Sequence, residues 1–240
     1  MMNNREYLAV SFEDKDDAKK MGAKWDNCEK KWYIPDSLNS NNKTLLLEKY
    51  KINNEPIELI GEDINYGGNL LFVDLIPNSC WFSNVRSCIH PSDWDRVRKY
   101  IYSRVNYICE CCNINTKDND IQLEAHERWD YDNVTNTQKL VRIVALCHQC
   151  HQTTHIGLAG IKGKKEEATT HLKNVRNFTD KECETHIKEA FELWRQRNNC
   201  DWSLDLSLIE NNNIKLSRKI YKNERKDIVI EKFKCKSFIL

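Results

Sequence analysis

Two short runs, Cys109-Glu110-Cys111-Cys112 and Cys147-His148-Gln149-Cys150, each space a pair of cysteines by two residues. A C-x-x-C turn aims two thiolates at one point, and two such turns supply the four soft ligands of a tetrahedral Zn²⁺. With Cys109, Cys112, Cys147 and Cys150 filling every position, such a zinc is structural. Only Cys112 has the usual spacing from Cys109, and Cys111 is the competing thiol. Four of the seven histidines fall between His126 and His155, more than a four-cysteine zinc needs. His151 and His155 are four residues apart, so on a helix they share a face and can hold one divalent ion.

The elements that must position these residues can be read from the pattern around them. Leu123 to Trp129, which carries His126 and Glu127, reads as a strand, and Leu140 to Leu146 as a second. The second knuckle then opens a helix bearing His151 and His155. Strand, strand, helix, with histidine on the first strand and on the helix, is the ββα-metal arrangement. Upstream, Ser92 caps a helix with Trp94, Val97, Ile101 and Val105 on one face, which delivers the chain to Cys109. Tyr66-Gly67-Gly68-Asn69 is a turn before a buried strand, Leu70–Val73. Downstream, Thr179-Asp180-Lys181-Glu182 is a capping box for a helix ending near Arg197. Near the N-terminus, Tyr7–Val10 reads as a strand. Ser11 caps a helix with Glu13 and Asp14 in its first turn and Gly22 at its end, and Lys31–Ile34 reads as a second strand ended by Pro35. Residues 39–54 read as a helix and linker. The chain divides into an accessory α/β module (1–55), a central α+β domain with flanking helices (56–210) and a basic C-terminal tail (211–240).

Two resemblances add to this reading. Tyr7-Leu8-Ala9-Val10, Gly22-Ala23-Lys24-Trp25-Asp26 and Lys30-Lys31-Trp32-Tyr33-Ile34-Pro35 resemble a small domain of unknown function that recurs beside primase-like and plasmid-transfer proteins. Trp25, Trp32 and nearby lysines could stack and pair with single-stranded nucleic acid. Cys109-x-x-Cys112, Glu124-Ala125-His126-Glu127, Ala145-Leu146-Cys147-x-x-Cys150-His151 and His155 resemble a zinc-stapled HNH endonuclease. The likeness extends back through Gly61-Glu62-Asp63-Ile64 and Ser79–Arg86, and forward through Ala168-x-x-His171-Leu172 to Asp201–Leu206.

That resemblance implies a DNA-cutting hydrolase with structural Zn²⁺ and a separate catalytic divalent ion, Mg²⁺ or another, at the scissile phosphate. His151 and His155 map to helix-borne ligands or phosphate contacts. On the first strand two registers stay open. In one, His126 takes the metal position and Glu127 the base position; slid by one residue, His126 is the base. The family's middle Asn is missing, and Arg142, at the usual distance before the second knuckle, is the candidate phosphate contact. The alternative reading is a catalytically inactive, zinc-stabilised DNA-binding protein.

Composition is that of a soluble globular chain, with 40% hydrophobic and 30% charged residues. No apolar run approaches the roughly 20 residues of a membrane helix. The expectation is an intracellular, cytoplasmic protein without a membrane partner, in which clustered thiols serve metals before disulfides. The net charge of +1 gives no global pull on DNA, so any attraction is local, as in the basic C-terminal stretch. A homodimer would suit double-strand cutting.

Overall fold

Short alternating runs near the N-terminus make one small sheet, and two long alternating runs either side of residue 135 make a second. The computed structural model describes residues 5–236 other than 13, 53, 54 and 120, and the architecture is mixed α+β. The first unit comprises β1 (Glu6–Leu8), α1 (Lys15–Lys20), β2 (Lys24–Asp26), β3 (Lys31–Ile34) and α2 (Ser40–Tyr50). Its strands are antiparallel in the order β1-β3-β2. Leu8, Ala18, Ala23, Ile34, Leu46 and Tyr50 give it a core of its own. Helix α1 starts later than the sequence suggests, because the Ser11 hydroxyl accepts from the Asp14 amide at 3.1 Å and closes a turn, leaving Asp14 at the N-cap. Glu13 lies outside the described residues. Gly22, at φ +100°, ends the helix as expected. Strand β2 was not anticipated: three residues carrying one apolar side chain, Trp25, are too few to show a period of two.

The larger unit runs through α3 (Val85–Cys88), α4 (Pro91–Arg104), β4 (Leu123–Asp132), β5 (Thr137–Cys147), α5 (His148–Thr154), α6 (Ile156–Ile161), α7 (Lys165–Arg176), α8 (Asp180–Arg197), β6 (Ser203–Asp205), α9 (Ser207–Glu210) and α10 (Lys222–Lys236). β4 and β5 pair antiparallel from Leu123↔Cys147 through His126↔Val144, with an irregularity between Arg128 and Trp129. β6 lies parallel to β5, but only alongside Thr137–Lys139.

Beyond Lys139 no strand among the described residues lies beside the outer edge of β5, and a buried edge must find its hydrogen bonds elsewhere. Three segments supply them. The Asp63 amide donates to the Val141 carbonyl at 3.0 Å. The Ile143 amide donates to Glu62 at 2.7 Å, and its carbonyl accepts from Arg104 at 2.6 Å. Glu62 and Arg104 are themselves an ion pair. Glu110 takes the Ala145 amide on Oε1 at 2.7 Å and returns its own amide to the Ala145 carbonyl at 3.0 Å. Glu110 Oε2 is bound by Arg142 at 2.5 Å, in a pair almost wholly removed from solvent.

Several expectations are corrected here. Leu70–Val73 is buried at Leu71 and Val73 but is not a strand, because side chains stand where a neighbouring strand would. Arg128 and Arg176 donate to the carbonyls of Leu70 and Leu71, and the Val73 amide donates to His186. Helix α4 is capped by His90, whose Nδ1 accepts from the Ser92 amide, with Pro91 in the first turn. The basic C-terminal stretch is no free tail across the described residues: Ile214, Ile220 and Ile228 join the core. Arg225, 1% exposed, donates to the Trp202 carbonyl at 3.0 Å and to Gln138 at 2.6 Å.

Glu110→Ala would orphan the Ala145 amide and leave the Arg142 charge buried without its partner. The expected loss in urea unfolding is about 3–5 kcal/mol; a loss below about 1 kcal/mol, the range of surface pairs, would show that water replaces the carboxylate.

Candidate metal centres

The two knuckles meet because β5 ends in one of them and the first knuckle lies along its edge. The sulfurs of Cys109, Cys112, Cys147 and Cys150 all lie within 4.8 Å of one another. Cys112 and Cys147 are 3.6 Å apart, and the Cys147 amide donates to the Cys109 sulfur at 3.2 Å. Cys111 is outside the cluster, with its sulfur 3.9 Å from an Arg128 nitrogen. Four thiols this close cannot all ionise alone. Hydrogen bonds from its three neighbours hold Cys109 far below the usual thiol range, while Cys147 and Cys150 are pushed up in return. A cation at the centre removes that conflict, since a coordinating thiol gives up its proton to the metal. The four cysteines could therefore hold a metal ion such as zinc.

The histidines form a second group. His126 projects from β4, His151 from α5, and His155 sits where α5 gives way to α6. Each ring offers a nitrogen within 4.8 Å of the others, and the ring centroids are 4.8–5.4 Å apart. His151 and His155 are brought together as their spacing suggests, although His155, at φ −96° and ψ 45°, has left helical geometry. The packed surroundings hold His126 well below its ordinary value and His155 down at about 3, with the neighbouring imidazoles adding to both. Both rings are thus kept neutral, the form a metal ligand requires. Nε2 of His126 is buried and has no hydrogen-bond partner among the described residues.

Glu124, two residues before His126 and so on the same face of β4, was quoted in the motif but given no role. Its carboxylate accepts from Nδ1 of both His148 and His151, at 2.7 Å each, and these bonds hold it down at about 2. A carboxylate on Nδ1 fixes the ring and leaves Nε2 to face a metal. The alternation of a strand was the signal that could have found it. His171 also acquires a place, with Nε2 3.2 Å from the Cys150 sulfur.

Glu127 points to the opposite face from His126. Its Oε1 accepts from the Val85 amide at 3.1 Å, and desolvation pushes its carboxyl up to about 7. Arg142 is not brought to the histidines. It stands opposite Arg128 in the β4–β5 ladder and is 2% exposed. Besides Glu110 it binds the Tyr66 and Gly68 carbonyls, which Arg128 also binds. That enclosed position removes it as a phosphate contact. Between those carbonyls Gly67, at φ +69°, can only be glycine, because a Cβ would collide with the Arg128 guanidinium.

Residues 5–44 match a family described as a domain of unknown function, DUF5710. No curated protein and no solved structure matches the chain. No helix among the described residues is long and apolar enough to cross a membrane.

Purified protein is expected to carry one zinc per chain through gel filtration, and Cys147→Ser to lose it together with a cooperative thermal transition. Full metal retention in that variant, measured by atomic absorption, would move the ligand role elsewhere.

Proposed function

We propose that the chain is an HNH-type endonuclease that hydrolyses DNA phosphodiesters, with its histidine group set on a zinc-stapled ββα-metal core. The observation that carries this reading is Nε2 of His126, buried without a partner and in ligand range of two other imidazoles. Burying an unsatisfied nitrogen costs about 1–3 kcal/mol, which core packing alone would not select. Three imidazoles suit a divalent ion, with His126, His151 and His155 as its holders. That donor set favours Mn²⁺ or Ni²⁺ over Mg²⁺, which prefers oxygen. A divalent ion there would supply Lewis-acid stabilisation of the charge developing on the scissile phosphate and leaving oxygen.

The rest of the reaction falls to the chain itself. Glu124 holds the His151 ring in orientation. The grouping of His126 with the helix histidines favours the register in which His126 is a ligand. Glu127 has a carboxyl poised at about 7, the basicity of a proton acceptor, but it faces away from the histidines, so it would serve as base only for water that reaches that other face of β4. The charge on Arg86 reaches Glu127, so a phosphate could find a cation close by.

The test is plasmid cleavage with Mn²⁺, Mg²⁺ or EDTA. Wild type is expected to nick or linearise DNA with Mn²⁺ at least as well as with Mg²⁺. His126→Ala should be inactive with its zinc content unchanged, and Glu124→Ala about 10–100-fold slower. Intact DNA under every metal would defeat the nuclease reading and leave the zinc-stabilised DNA-binding protein in its place.

A further inference from the structure

The first sheet has one face on the module's core and one that is polar and partly exposed. Leu8, Trp32 and Ile34 point into the module's core with α1 and α2. The opposite face carries Arg5, Tyr7, Lys24, Asp26, Lys31 and Tyr33, by the alternation and the pairings Tyr7↔Tyr33, Lys24↔Tyr33 and Asp26↔Lys31. Neither tyrosine belongs to an apolar core. Their rings meet edge to face at 6.4 Å. The Arg5 guanidinium lies 4.4 Å over the Tyr33 ring, and the Lys31 ammonium 5.7 Å over that of Tyr7. Asp26 is occupied by Arg5, by the Tyr7 hydroxyl and by the amides of Cys28 and Glu29, which hold its carboxyl down at about 2. With Lys30 and Glu29 of the β2–β3 turn included, four cations face two acids, a net of 4 − 2 = +2.

We propose that this face binds single-stranded nucleic acid, with bases stacking on Tyr7, Tyr33 and the Arg5 plane and phosphates paired with Lys24 and Lys31. Two aromatic rings and a guanidinium plane edged by ammonium groups match an unpaired strand, whose bases expose their π-faces at phosphate spacing. Duplex DNA hides those faces in its stack, so it meets only the charges. An acidic protein partner would use the cations and leave the rings without a role. Trp25, nearly half exposed, pairs with Trp32 on the other face, so the stacking surface is the tyrosine side rather than the tryptophan pair. The proposal does not rest on the nuclease reading.

The experiment is fluorescence anisotropy with labelled oligothymidine, oligouridine and a duplex, using the full chain carrying His126→Ala without added divalent metal. Wild-type module residues should bind a single strand more tightly than the duplex, and comparing the two oligonucleotides separates DNA from RNA. Tyr7→Ala with Tyr33→Ala should weaken single-strand binding by about tenfold or more, leave duplex binding unchanged and be rescued by phenylalanine at both positions. Lys24→Glu with Lys31→Glu, at exposed sites where the fold is retained, should weaken binding and flatten its salt dependence. Trp25→Ala should leave it unaltered. Equal affinity for duplex and single strand, or no effect of the lysine pair, would overturn the proposal, as would absence of single-strand binding at low salt.

Discussion

A strand buried on both edges has to have every backbone group answered, and β5 meets that demand with a different partner on each side. β4 supplies one ladder, broken only by the irregularity between Arg128 and Trp129. The other side is answered by Glu62 and Asp63, by Arg104 at the end of α4, and by Cys109 and Glu110 in the first knuckle. Segments far apart in sequence are thereby set in register with the strand that ends in Cys147. The cysteine cluster follows from this arrangement, because the first knuckle is already laid along β5 when the second begins. The histidine group follows too, since Cys150 and His151 are neighbours on α5 and His126 stands opposite Val144.

Charge is balanced on the same principle. Arg128 and Arg142 face each other across the ladder, both buried, and share the carbonyls of Tyr66 and Gly68. Like charges opposite each other in a sheet are unfavourable; Glu110 pairs directly with Arg142, while Arg128 feels Glu110 and Asp74 only at longer range. Four thiolates around a divalent cation carry a net −2. A loaded cysteine cluster, next to Glu110 and near the Arg128–Cys111 contact, therefore complements the remaining charge. A metal held there and the two guanidinium groups would form one electrostatic unit.

What the sequence disclosed tracks how local the cause was. The C-x-x-C spacing, the 151/155 pair, the Thr179 capping box and the alternation of β4 and β5 each lie within a few residues, and each led to the right element or grouping. The failures came where a long-range partner decides. Leu70–Val73 has the composition of a strand, yet guanidinium and imidazole groups from β4, α7 and α8 take its hydrogen bonds. Arg142 stands at the spacing of a phosphate contact, yet Glu110, 32 residues earlier, holds it inside. Glu124 and Glu127 differ only in strand parity, and that parity put one carboxylate against the histidines and the other against α3.

Arg225 carries a different consequence. Its guanidinium ties together Trp202, Gln138 and Ser83. One buried guanidinium thus pins α10 to the turn before α3, to β5 and to the segment that leads into β6. The position of α10 is set by these three carbonyl and amide oxygens, none of which belongs to a metal cluster.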